Sequence, residues 1–232
     1  MAAEQATTHF GGFPRELFTF LEGLEADNSK AYWDAHKPTW EASVREPIDA
    51  LMADLEPEFG PLRTFRPNRD VRFSKDKSPY KTWVGVTTSD RSIGGIGCFL
   101  RIEAAGIRLA SGSMVMAPDQ VERFRAAIDD AAIGAEFDSI GRQLAAAGLP
   151  VGPGRQPPLI RTPAGYAKDH PRAEVLRWKG AVVVKEYERA AWMYKPAAVD
   201  RIREVWSGAA PLTKWIDKYV GQSTVPARGR GD

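Results

Sequence analysis

Four strand candidates follow one another between Asp70 and Val115 with no helix-length stretch between them, and this limits the possible folds most. Asp70-Val71-Arg72-Phe73-Ser74 alternates polar and apolar residues, as a half-buried strand does. Trp83 to Thr88, Ile96 to Glu103 and Ile107 to Val115 continue the series. Ala104-Ala105-Gly106 joins the last two and is short enough for a hairpin, with glycine at the demanding backbone position. Parallel strands need long crossover connections, so strands this close in the chain predict an antiparallel sheet.

Helical spacing flanks the series on both sides. Leu17, Phe18, Leu21 and Leu24 recur on one helical face behind Pro14, which suits a first turn. Asp27-Asn28-Ser29 breaks this helix and offers caps for the next. Residues 30–59 read as helix in two pieces, with Tyr32, Trp33, His36 and Trp40 on a broad aromatic face and Val44, Ile48, Leu51 and Leu55 continuing the stripe. Pro38 and Pro47 should start or kink turns there. After Pro118, Val121, Phe124 and Ile128 mark one helix, and Phe137, Ile140 and Leu144 mark another that Gly148 closes. Residues 150–170 form a long Pro- and Gly-rich connection, of a length that often carries function. A short helix at 171–178, a fifth strand at 181–184 and helices at 196–206 and 212–220 complete the reading. The expected fold is α+β, a mainly antiparallel sheet of about five strands packed by N- and C-terminal helices. The expected organisation is a flexible leader at 1–12, one α+β domain at 13–220 and a flexible tail at 221–232.

Composition and motifs narrow the function classes. With 232 residues, 43% hydrophobic and 27% charged, the chain is ordinary for a globular protein. No apolar run approaches membrane-spanning length, and residues 1–9 lack the basic start and apolar core of a secretory signal. Cys98 is the only cysteine, which excludes a disulfide within the chain and makes a cytoplasmic setting the expectation. One cysteine and three histidines match no zinc signature, so no metal site is expected. There is no HExxH, GxSxG or Walker loop, and no motif names a cofactor. Gly94-Gly95-Ile96-Gly97 precedes a strand and reads as a turn rather than a phosphate cradle.

The charge distribution says more than the total. Net charge is only +2. Arg63 to Thr82, however, holds seven bases against two acids, or +5. The other 212 residues hold 25 bases and 28 acids, or −3, so all the positive excess lies in one stretch.

The string from Phe65 to Thr82, FRPNRDVRFSKDKSPYKT, resembles the hallmark of a conserved bacterial and fungal family, domain of unknown function 2461. Phe13-Pro14, Asn28 to His36 with Trp33, and Asp169-His170-Pro171 are similar to the same family. Trp83 departs from it, standing where a small or polar residue is expected. The resemblance implies a single α+β domain and gives weight to the basic string; it implies no reaction, substrate or cofactor.

Arginine forks, mobile ammonium groups and hydroxyls are what phosphate or carboxylate recognition needs. The candidate ligand residues are therefore Arg66, Arg69, Asp70, Arg72, Ser74, Lys75, Lys77, Tyr80 and Lys81, and the expected ligand is an anionic small molecule. In the competing reading the same charges pair internally and the protein is structural or partner-binding. A nucleic-acid module is a third reading, against which stand the acidic remainder of the chain and the lack of any nucleic-acid motif. His36 and His170 are secondary candidates, with a hydrogen-bonded ring and a helix cap as the plainer alternatives.

Overall fold

The computed structural model describes residues 9–72, 74–88 and 94–225. Six strands form one antiparallel sheet in the order β1-β2-β3-β4-β6-β5. They are β1 (Arg63–Thr64), β2 (Trp83–Thr87), β3 (Gly97–Glu103), β4 (Gly106–Ser113), β5 (Val151–Gly152) and β6 (Ala181–Glu188). The expected α+β class and antiparallel sheet are therefore present. The order keeps β2, β3 and β4 adjacent, as their short connections require. Gly106 turns the β3–β4 corner at φ 152°, where a Cβ would strike the carbonyl oxygen of Tyr187.

Two details of the strand reading change. The half-buried strand expected at Asp70–Ser74 is absent among the described residues of that segment; 70–72 and 74 are loop and turn. Its alternation is overridden by local hydrogen bonds, since the Asp70 carboxylate accepts from the Arg72 backbone N–H at 3.2 Å and Val71 O accepts from Ser74 N at 3.3 Å. Phe73, expected on the core face, lies outside the described residues. In place of that strand the sheet gains β1 and β5, each of two residues and paired antiparallel to β2 and β6.

The chain divides into two compact units. The first takes residues 1–88, 100–108 and 186–204; the second takes 89–99, 109–185 and 205–232. In the first, α1 (Arg15–Ala26) buries Leu17, Phe18, Phe20, Leu21 and Leu24, the expected face. Ser29 caps α2 (Lys30–Trp40), its hydroxyl accepting from Tyr32 N at 3.0 Å. A π-helical turn over Glu41–Arg45 then leads into α3 (Glu46–Phe59). Pro47 stands two residues beyond the end of that turn; a proline lacks the N–H donor and crowds the carbonyl four residues back, and the wider turn relieves both. Gly60 ends α3 at φ 77°. Phe10 is also buried here, its N–H and the His9 ring both meeting the Asp54 carboxylate.

The second unit contains α4 (Pro118–Asp129), α5 (Ala131–Ala146), the one-turn α6 (Ala173–Leu176) and α8 (Ala210–Tyr219). The helix α7 (Ala198–Gly208) begins among the residues of the first unit and ends among those of the second. Phe124, Phe137 and Trp215 form an edge-to-face cluster, with Phe137 and Trp215 centroids 4.9 Å apart. Gln120 is fully buried and fully used. Its carbonyl accepts from Ala117 N at 3.0 Å, and its amide donates to Gly94 O at 2.9 Å and Gly221 O at 2.7 Å. No helix among the described residues is long and apolar enough to cross a membrane.

Candidate functional site

The basic string connects β1 to β2 as a long arm that folds back on itself. Asn68 and Tyr80 form an isolated antiparallel bridge. Arg69 N donates to Pro79 O, and Lys81 N to Pro67 O, both at 2.8 Å. The arm is held to the helices by Asn28, whose amide donates to Tyr80 O at 3.1 Å and whose carbonyl accepts from Tyr80 N at 3.0 Å. Asn28 thus completes both backbone groups of Tyr80 as a strand partner would. Tyr80 is only 7% exposed, and its ring stacks on Trp33 at 4.4 Å and 11°. Trp33 in turn meets Trp40 and Phe20, so one end of the arm is seated in an aromatic core.

The charges of the arm are largely answered within it. Arg72 holds Asp70 in a two-pronged pair, Nε to Oδ1 at 3.1 Å and Nη2 to Oδ2 at 2.9 Å, which raises the affinity of the guanidinium for its proton. Arg69 pairs with Asp76, which also accepts from the Ser78 hydroxyl at 2.6 Å and the Ser78 N–H at 2.9 Å. The Ser78 hydroxyl first, then Arg69 and the Ser78 N–H, hold the Asp76 carboxyl well below the usual carboxylate range. Lys77 donates to Val71 O at 2.9 Å, and Lys81 to the carbonyls of Arg66 and Asn68.

Beside the arm, within the first unit, lies a cleft of about 440 Å³. From the arm and β2 it takes Arg69, Asp70, Asp76, Ser78, Tyr80, Lys81, Thr82 and Trp83. Glu25 comes from α1, Asn28 from the α1–α2 junction and Arg101 from β3. Two cations lie near the Trp83 ring, the Arg101 guanidinium 4.8 Å and the Lys81 ammonium 5.9 Å from its centroid. Gly85, two residues along β2, makes room for the Trp83 and Phe65 rings, both of which a Cβ there would strike. Arg101 also pairs with Glu103, yet its buried Nε has no hydrogen-bond partner among the described residues. Three bases and three acids line the cleft, which is therefore charge-balanced, unlike the arm as a whole.

Of the residues expected from sequence, Arg69, Asp70, Tyr80 and Lys81 meet at this cleft. Arg66, Arg72, Ser74, Lys75 and Lys77 are not part of its lining. His36 stacks on Tyr32 at 4.0 Å, and its Nδ1–H donates to Tyr32 O at 2.8 Å. His170 belongs to the second unit. Its Nδ1 accepts from Arg172 N at 3.0 Å, and its Nε2 lies 3.4 Å from Asp129. Both histidines are thus hydrogen-bonded. Sequence reasoning did not single out Glu25, Trp83 or Arg101 as lining residues, and read Asn28 as a cap and as part of the family resemblance. Among the described residues no group of three or more His, Cys, Asp or Glu is placed to hold a metal ion.

A family model described as a conserved hypothetical protein, DUF2461, matches residues 16–215, in agreement with the resemblance read from the basic string. No curated protein matches the chain.

Proposed function

The chain belongs to the DUF2461 family, and we propose that the cleft walled by its basic arm binds a small molecule carrying one carboxylate or phosphate group. The observation that carries this is Arg101: a cationic, cleft-lining side chain with a buried N–H donor left without a partner. Such donors cost about 1–3 kcal/mol each, so they are rare unless something completes them. Arg101 and Lys81, both over Trp83, receive the anionic group, and Tyr80 and Trp83 supply an apolar surface. Glu25, Asp70 and Asp76 face the remainder of the ligand, which therefore carries hydroxyl or amino donors. This balance disfavours polyanions, and with them nucleic acid.

A second reading is favoured by the internal pairing of the arm: a structural or partner-binding protein whose basic string is a self-contained network. A thermal-shift panel of carboxylates, sugar phosphates, phosphate and short nucleic acids separates the two. The binding reading expects a hydroxylated or aminated monoanion to raise Tm, and Arg101→Gln to remove that rise while leaving the unliganded Tm within a few degrees. If no compound in the panel shifts Tm, the network reading stands instead.

A further inference from the structure

The long Pro- and Gly-rich connection read from the sequence builds a second concavity, in the second unit, that the reading above does not use. It has a volume of about 530 Å³ and is lined by Ile160, Arg161, Thr162, Lys168, Ala173 and Arg177. Three of these are cations and none is an acid. Asp169 and Glu174 belong to the same stretch but do not line it. The contrast with the basic arm is direct. There, Arg69, Arg72, Lys77 and Lys81 are each engaged by a carboxylate or a backbone carbonyl. Here, none of the three cationic side chains has a hydrogen-bond or ion-pair partner among the described residues, and the Nε of Arg177 is shielded from water as well. The neighbouring Arg172 shows what a structural arginine in this region does: its guanidinium is used up on the carbonyls of Ile128 and Asp130, at 2.9 and 3.1 Å.

From this we propose a second ligand site in the chain, for a phosphorylated small molecule. Three like charges gathered in one concavity with no counter-charge repel one another, and a multiply charged oxyanion relieves that repulsion. Two guanidinium groups and one ammonium offer the charge-assisted donors that a terminal phosphate takes, and the Thr162 hydroxyl adds a neutral donor. Ile160, 93% exposed at the rim, gives the organic part of the ligand an apolar contact. The site differs in kind from the cleft of the first unit, which is charge-balanced and suited to a monoanion.

The test is isothermal titration of the full chain with inorganic phosphate, pyrophosphate and a sugar phosphate, at low and moderate salt. It is made on the unaltered protein, on the double variant R161Q/K168Q and on R101Q. Arg161 and Lys168 are exposed, so the double variant keeps the fold, which circular dichroism checks. The expected result is saturable binding, tighter for pyrophosphate than for phosphate and weakened about tenfold or more in the double variant. Absence of saturable phosphate binding overturns the proposal, as does equal affinity in the double variant. Loss of phosphate binding in R101Q alone overturns it too, and assigns the phosphate to the first cleft. Preferential, steeply salt-dependent binding of nucleic acid in place of small phosphates would also overturn it.

Discussion

Asn28 is the residue on which the seating of the basic arm most depends. Asn28→Ala removes the donor to Tyr80 O and the acceptor for Tyr80 N in one change. Both backbone groups belong to a residue that is 7% exposed, so water does not readily replace the lost partners. Leaving a buried donor and acceptor unsatisfied costs about 1–3 kcal/mol each; with the pair part-buried, the low end applies and the total is about 2–3 kcal/mol. For a chain of this size each kcal/mol lowers Tm by about 2–4 °C, so the expected loss is roughly 4–12 °C in a calorimetric scan. Hydrogen exchange should localise the damage: the amides of Arg69, Tyr80 and Lys81 should exchange faster in the variant, while those of α4 and α5 in the second unit should not. Asn28→Asp keeps the acceptor, loses the donor and should fall between the two. A Tm loss under about 2 °C for Asn28→Ala, with unchanged exchange at Tyr80, would refute the clamp.

Arg72→Ala should be mild: the arginine of this surface pair is 57% exposed and screened by solvent, so Tm should drop by no more than about 4 °C. A larger loss would mean that ion pairs, not the aromatic seat of Tyr80, hold the arm. Asp76 is held below its ordinary pKa in the folded state, so its contribution is present above the unfolded value near 4 and is lost as pH falls below it. Acid unfolding followed by fluorescence should therefore begin at higher pH in the unaltered protein than in Asp76→Asn, measured relative to each protein's own neutral stability; parallel curves would contradict this. Cys98 is buried with its thiol pushed up to about 11, burial raising it more than the Ser111 hydroxyl lowers it, so a thiol reagent at pH 8 should label it only on unfolding. Rapid labelling of the native protein would refute that placement. Gln120→Leu should destabilise by about 2–4 kcal/mol in urea unfolding, because the backbone groups of Ala117, Gly94 and Gly221 lose their common partner.

The fold class was legible because its signals were long. Leu17 to Leu24 and Val44 to Leu55 span enough residues for a helical period to show, and β3 and β4 are long runs joined by a short turn. Arg63–Thr64 and Val151–Gly152 carry no period at two residues, and only their partners in β2 and β6 define them as strands. Asp70 to Ser74 has the period of a strand, but Asp70 bonds its own chain two residues on, a local competition that alternation does not report. The site was legible in part for a similar reason. Arg69, Asp70, Tyr80 and Lys81 are close in the chain, so charge density found them. Glu25 and Arg101 reach the same cleft from α1 and β3, and Arg101 meets Trp83 because β3 lies next to β2 in the sheet. The local count of charge did not report that, of the bases it included, only Arg69 and Lys81 line the cleft, beside Asp70 and Asp76.

The most direct test of the binding reading is the affinity of the best monoanionic ligand from the panel for the unaltered protein and for Arg101→Gln, measured by isothermal titration. Losing a shielded cationic partner of a bound anion costs about 2 kcal/mol or more, so Kd should weaken roughly thirtyfold or more in the variant. Equal affinities would remove Arg101 from the site and contradict the account.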